Sequence, residues 1–132
     1  NTIDAAIALS STGTLGSATP SNGYGTPSSE PADAEINQKV MKYGRTTGLT
    51  NGKVYALNAV VNVAYSSGTA RFAGQIIITP GTFSKAGDSG SLIVTSDAKS
   101  PIGLLFAGSN MFTIANPIKQ VLNFFNVAID GQ

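Results

Sequence analysis

From Ile36 to Ala115 the chain is a succession of short apolar runs with period-two alternation, and no helix-patterned stretch separates them. The runs fall at 40–44 (VMKYG), 52–65 (GKVYALNAVVNVAY), 69–80 (TARFAGQIIITP), 91–95 (SLIVT), 101–108 (PIGLLFAG) and 111–115 (MFTIA). Turn-forming residues stand between them at Thr50-Asn51-Gly52, Ser66-Ser67-Gly68, Pro80-Gly81 and Ser109-Asn110. Strands at this spacing must bury one face without help from packed helices. That predicts an all-β fold, a closed antiparallel β-barrel. The pattern then changes. Asn116 can cap a helix and Pro117 suits its first turn. Ile118, Val121, Leu122 and Phe125 form one apolar helical face, so a C-terminal α-helix of about 10 residues is predicted to dock on the barrel.

The segment before the strands is different. Residues 1–9 (NTIDAAIAL) are apolar with one carboxylate. Of the 22 residues from 10 to 31, 17 are Gly, Ser, Thr or Pro, too few apolar groups to offset ordering entropy by burial. Residues 10–35 are therefore expected to be a linker or long surface connection, and residues 36–132 the barrel with its terminal helix. A chain of 132 residues that is 42% hydrophobic suits one such domain.

Composition removes several classes of function. There is no Cys and no His, so disulfides and thiolate sites are excluded and the commonest transition-metal ligand is missing. No metal and no cofactor are expected. Net charge is +1, and the eight basic residues are scattered, which leaves no footprint for nucleic acid. No apolar run approaches the ~18 residues of a membrane span, so no membrane partner is expected. Low charge and abundant Ser, Thr and Gly favour a secreted or bacterial cell-envelope location. The chain starts at Asn1 rather than Met, as a processed product or a piece of a longer chain would.

The one chemically loaded motif is Gly87-Asp88-Ser89-Gly90. A serine hydroxyl is a weak nucleophile until a base takes its proton, and it needs donors aimed at the oxyanion that develops. Flanking glycines allow a sharp bend that brings the Gly87 and Ser89 amides into one hollow. The plainer alternative is a polar turn leading into the run SLIVT.

Three segments together resemble the chymotrypsin-like (trypsin-fold) serine proteases, in particular the bacterial branch of alpha-lytic protease and the streptogrisins. They are 40–54 (VMKYGRTTGLTNGKV), 86–94 (AGDSGSLIV) and 101–109 (PIGLLFAGS), in the family's order. With the closing helix they span about two-thirds of the chain. The resemblance implies the C-terminal barrel of the trypsin-like fold. It implies Ser89 as nucleophile, Gly87 and Ser89 as oxyanion-hole amides, and Asp88 as the buried carboxylate propping the loop. Arg45 is the implied partner of Asp88, unless it is a solvated strand residue. Phe106, Ala107 and Gly108 match the strip that pairs with a polypeptide substrate by β-augmentation. Phe83, Ser84 and Lys85 fall at the wall of the first specificity pocket. No carboxylate is among them, so a small or apolar substrate side chain is expected there rather than a basic one.

The family's triad runs His, Asp, Ser. Residues 1–9 resemble the phrase that holds the Asp, which makes Asp4 the catalytic candidate; the competing reading has Asp4 capping a helix. Residues 1–9 would then be a remnant of the N-terminal barrel, and the histidine would lie on an upstream segment, a partner of this chain. Without an imidazole the chain alone is expected to be nearly inert, since losing one such triad member costs about 10⁶ in turnover. Lys85 could replace it only with a strongly depressed pKa. Two functions follow. One is the nucleophile-bearing part of a serine endopeptidase. The other is a non-catalytic, protease-like barrel that binds peptides. Residues 3–9 are expected to pack on the barrel or, in a homodimer, on a second copy.

Overall fold

Six strands and one helix realise this pattern in the computed structural model, which describes all 132 residues. They are β1 (Lys39–Gly44), β2 (Gly48–Tyr65), β3 (Gly68–Thr79), β4 (Leu92–Thr95), β5 (Pro101–Gly108), β6 (Thr113–Pro117) and α1 (Ile118–Phe125). The strands close in the order β1-β2-β3-β6-β5-β4, every neighbouring pair antiparallel. Closure rests on β1 against β4, with Val40 opposite Thr95, Met41 opposite Val94 and Lys42 opposite Ile93. A closed sheet leaves no bare edge around the barrel wall. Beyond Val54 on β2 and before Ile76 on β3, these two strands pair only with each other. They run past the wall as a ribbon, with register shifts, to the turn at Ser66-Ser67.

Alternation puts the core where the sequence pattern requires it. Val40, Val54, Ile76, Ile78, Phe83, Ile93, Ile102, Leu105 and Ala115 form one cluster, each almost fully removed from water. Each large member contributes about 1.5–3 kcal/mol by its burial. α1 packs Ile118 and Val121 against β5 and β6, as its apolar face predicts.

Two local expectations are corrected. Thr50-Asn51-Gly52 is not a turn; it lies inside the 18-residue β2, and the first hairpin turns at Arg45–Thr47. Gly52 is there for close approach instead, because a Cβ would come within 2.6 Å of the Phe83 ring and 2.8 Å of the Thr79 carbonyl. Asn116 does not cap α1. Pro117 holds that position without a side-chain cap, the helix has 8 residues, and Asn116 is fully buried at the end of β6.

Asn116 instead holds the start of the chain. Its Oδ1 accepts from the Asp4 amide at 2.9 Å and its Nδ2 donates to the Asp4 carbonyl at 2.8 Å. The Ala73 amide donates to the Asn1 carbonyl at 2.9 Å, and Gln75 Nε2 to the Thr2 carbonyl at 2.9 Å. Residues 1–5 thus rest on the barrel, whereas Ile7 and Leu9 stay exposed. The Ser/Thr/Gly/Pro-rich stretch is ordered by backbone bonds more than by burial. Its later part is tied down where Ser28 donates to the Lys99 carbonyl, Gln132 to Pro27, and Ala32 to Pro101.

Candidate active site

The tip of the β1–β2 hairpin grips the loop that carries Ser89. Both Thr46 and Thr47 amides donate to Asp88 Oδ1, at 2.8 and 3.1 Å. The Thr47 hydroxyl donates to Oδ2 at 2.6 Å and the Lys85 amide to the same oxygen at 2.9 Å. Asp88 is 1% exposed. Burial pushes its carboxyl up, but these hydrogen bonds outweigh it and hold the pKa at about 2. Asp88 is therefore an anion at any ordinary pH. The fit leaves no spare volume: a Cβ on Gly44 would lie 2.3 Å from Asp88 Oδ1, and one on Gly87 would lie 2.3 Å from Thr46 Oγ1. Gly87 (φ 99°) and Gly90 (φ 87°) also take the left-handed backbone that bends the loop on either side of Ser89.

The loop's amides divide into two sets. Those of Lys85, Asp88, Gly90 and Ser91 donate to Asp88 Oδ2, Lys85 O, Leu105 O and Asp88 O. Those of Ala86, Gly87 and Ser89 donate to no protein acceptor. Ser89 itself is exposed, with Oγ 3.4 Å from the Phe106 carbonyl. It lines a cleft of about 660 Å³ together with Ser84, Lys85, Phe106, Ala107 and Gly108. The cleft's far wall includes Tyr65 at the end of the β2–β3 ribbon, and Lys85 is its one formally charged lining residue. On the β4 side the last backbone bonds of β5 are those of Leu105, whose amide donates to Ser91 and whose carbonyl accepts from Gly90; Phe106, Ala107 and Gly108 have no backbone partner there.

Several sequence-derived placements change. Phe83 does not wall the cleft; it is 1% exposed within the core, and its carbonyl accepts from the Thr50 hydroxyl at 2.7 Å. Arg45 does not pair with Asp88. Its guanidinium lies beside Gly87, where a Cβ would meet Nη2 at 2.7 Å. The cation next to Asp88 is Lys42, fully buried, with Nζ 3.8 Å from Oδ2. Burial lowers the Lys42 pKa, partly offset by the Asp88 charge. The sequence held a signal for it: Val40, Lys42 and Gly44 share one face of an alternating strand, so a lysine stands at a core position.

Asp4 is not brought to Ser89 by any direct bond. Its carboxylate accepts a short hydrogen bond from the Tyr65 hydroxyl. Tyr65, which lines the cleft, is thereby pushed up to about 12, by burial first and then by the bond to Asp4 and its charge. A phenol so poised keeps its proton and is no base for Ser89 near neutral pH. No cluster of three or more carboxylates is placed to hold a metal.

Comparison with known proteins matches this geometry to a family of folds. The solved chymotrypsin of Cellulomonas bogoriensis is 25% identical, with a TM-score of 0.64 over 78% of this chain and 55% of that one. A glutamic acid-specific serine protease, described as using a histidine triad in substrate binding, is 27% identical, with a TM-score of 0.64 over 83% of this chain and 57% of that one. The Nocardiopsis protease shares the fold at 24% identity, with a TM-score of 0.66 over 83% of this chain and 56% of that one. The chain thus spans a little over half the length of these serine proteases, within which it has the fold of the C-terminal part. No curated protein sequence matches it. Residues 27–116 match the Nal1 C-terminal domain, from Pro27 at the foot of the barrel to Asn116 at the end of β6. The barrel is protease-like, and the chain belongs to the Nal1 C-terminal domain family.

Proposed function

We propose that the chain is the nucleophile-bearing part of a trypsin-like serine endopeptidase. The observation that carries this reading is the division of amides around Ser89. Four loop amides are bonded within the protein, while those of Ala86, Gly87 and Ser89 remain free, the last on an exposed residue that lines the cleft. Ser89 Oγ attacks the scissile carbonyl, and the free amides of Gly87 and Ser89 take the charge that develops on its oxygen. The acyl-enzyme is then hydrolysed. Phe106, Ala107 and Gly108 receive the polypeptide substrate as an added strand. With Lys85 the only charged lining residue, a basic side chain is disfavoured in the cleft.

The base comes from outside these residues, because the chain contains no histidine. An upstream segment supplies the imidazole, and Asp4 orients it in place of the Tyr65 hydroxyl. Alone, the chain retains only oxyanion and binding contributions, of order 10³–10⁴ over the uncatalysed reaction. The second reading, a peptide-binding barrel without catalysis, is favoured by one feature: the only partner of Ser89 Oγ is a backbone carbonyl.

Fluorophosphonate labelling separates the two. In the longer protein that includes the upstream segment, Ser89 labels rapidly, and Ser89→Ala abolishes labelling. In this chain alone, labelling falls by several orders of magnitude. Equal failure to label in both proteins would remove the enzyme and leave the binding module.

A further inference from the structure

We infer that the cleft beside Ser89 takes an acidic side chain, glutamate or aspartate, whose carboxylate is held by the Ser84 hydroxyl and the Lys85 ammonium. This rests on the serine-peptidase reading of the same site and names its substrate class. From sequence, a small or apolar side chain is expected there; the directions of the hydrogen bonds in the folded cleft argue for a charged one. Ser84 Oγ and Thr113 Oγ1 lie 2.6 Å apart, and distance alone lets either donate. Burial decides. Thr113 is 0% exposed, and its hydroxyl has no other partner. If Ser84 donated, the Thr113 proton would be sealed from water with no acceptor, at the full cost of its desolvation. Thr113 therefore donates to Ser84. Ser84 is half-buried at the cleft wall and has no second partner, so its own proton is left to face the cleft.

Ser109 reaches the same state by another route. Its Oγ accepts from the Met111 and Phe112 amides, at 3.2 and 3.3 Å, which uses both lone pairs and leaves its proton to donate. Gly108 adjoins both serines. A Cβ there would lie 3.5 Å from Ser84 Oγ and 3.1 Å from the Phe112 carbonyl, so glycine leaves the Ser84 hydroxyl uncrowded. Lys85, exposed at the cleft and in no ion pair, adds an ammonium, which has only protons to give. No Asp or Glu lines the cleft. Donors in surplus, with a cation that lacks a counter-charge, suit a group that only accepts. An ionised carboxylate is such a group, and its bonds to these donors are charge-assisted. An amide of the same shape brings protons of its own to a wall already rich in them. A lysine or arginine side chain brings charge of the wrong sign.

The experiment uses peptidyl phosphonates that differ only in the side chain next to the phosphorus: glutamate, glutamine, phenylalanine or lysine. In the longer protein, the glutamate probe should label Ser89 roughly 10–100-fold faster than its glutamine isostere, the worth of one good hydrogen bond to a charge. The lysine probe should be slowest. Lys85→Gln, at a side chain that is exposed and unpaired, should bring the glutamate probe down toward the glutamine one. Lys85→Glu should place the lysine probe above the glutamate probe. Ser84→Ala should slow the glutamate probe more than the glutamine probe. Equal glutamate and glutamine rates in the wild type, or a glutamate preference undiminished in Lys85→Gln, overturn the proposal. In this chain alone, short amidated peptides carrying the same four side chains give a readout that needs no catalysis. Their binding, followed through the amide shifts of Ser84 and Gly108, should favour glutamate over glutamine, and no glutamate advantage there would also overturn the proposal. If no probe labels the longer protein, the peptidase reading fails, and the peptide titration still decides the acid preference of the cleft.

Discussion

Asp88 and Asp4 carry the same functional group in opposite circumstances. Asp88 is 1% exposed, with four donors and a buried ammonium around it. Asp4 is half-buried, held by its backbone to Asn116, and its carboxylate has one phenol as partner. The first belongs to machinery completed within the barrel. The second has unused acceptor capacity on a segment that its backbone bonds, and not its carboxylate, tie to the barrel. Where every bond of a carboxylate is satisfied locally, its position is fixed by the fold; where it is not, the position depends on what binds.

The largest expected effect breaks that contrast directly. Asp88→Asn removes the anion and leaves Lys42 buried without a counter-charge, which should cost about 3–5 kcal/mol in urea unfolding. Asp4→Asn should cost no more than about 1 kcal/mol, one modest hydrogen bond. Similar losses for both variants would mean the two carboxylates are equally structural.

Acid should separate them next. The folded pKa of Asp88 is about 2, below an unfolded value near 3.9. A depressed carboxylate contributes stability that is fully present above the unfolded pKa and is lost as pH falls through the folded one. Between about pH 4 and pH 2 the barrel should lose about 2–3 kcal/mol from this group. Asp88→Asn should lack that part of the pH dependence, and an unchanged acid limb in the variant would assign it elsewhere.

A pair of glycines tests the steric side of the cradle. Gly44→Ala pushes a Cβ to 2.3 Å from Asp88 Oδ1 and 2.9 Å from Ser91 Oγ, and should destabilise by about 1–3 kcal/mol through overpacking. Gly90→Ala meets nothing within 4 Å, so only its positive φ resists the change, at about 1 kcal/mol. A reversed order of these two, read as shifts in melting temperature, would mean the cradle is slack.

How legible this was from sequence depended on whether a residue acts through its neighbours in the chain or through distant ones. Strand positions came through because turn residues bound each apolar run, with burial alternating along β1 and much of β2, and the bend around Ser89 came through because its flanking glycines are local. Gly52 and Asn116 were misread for one reason: each carries a local turn or cap signal but is needed by something far along the chain, Phe83 and Thr79 in one case and Asp4 in the other. The resemblance put Arg45 beside Asp88, whereas the strand's own alternation puts Lys42 inside. The Asp4–Tyr65 contact spans 61 residues and joins a half-buried residue to an exposed one. No periodicity encodes such a pairing.

That contact gives the smallest and most specific test. Tyr65 is raised to about 12, by burial and then by the bond to Asp4 and its charge. For a phenol whose folded pKa lies above its unfolded value near 10, the stabilising contribution is fully present below pH 10 and is lost as pH rises through 12. At 41% exposure the pair is screened, so the effect belongs in a titration more than in a melting curve. In an ultraviolet absorbance titration, Asp4→Asn should move one tyrosine's ionisation down toward 10 and leave the other three unmoved. Adding the upstream segment should do the same to the wild type if its imidazole takes the Asp4 carboxylate from the phenol. A tyrosine titration that shifts with Asp4→Asn but not with the upstream segment would leave Asp4 a structural partner of the ribbon, and would separate it from the chemistry of Ser89.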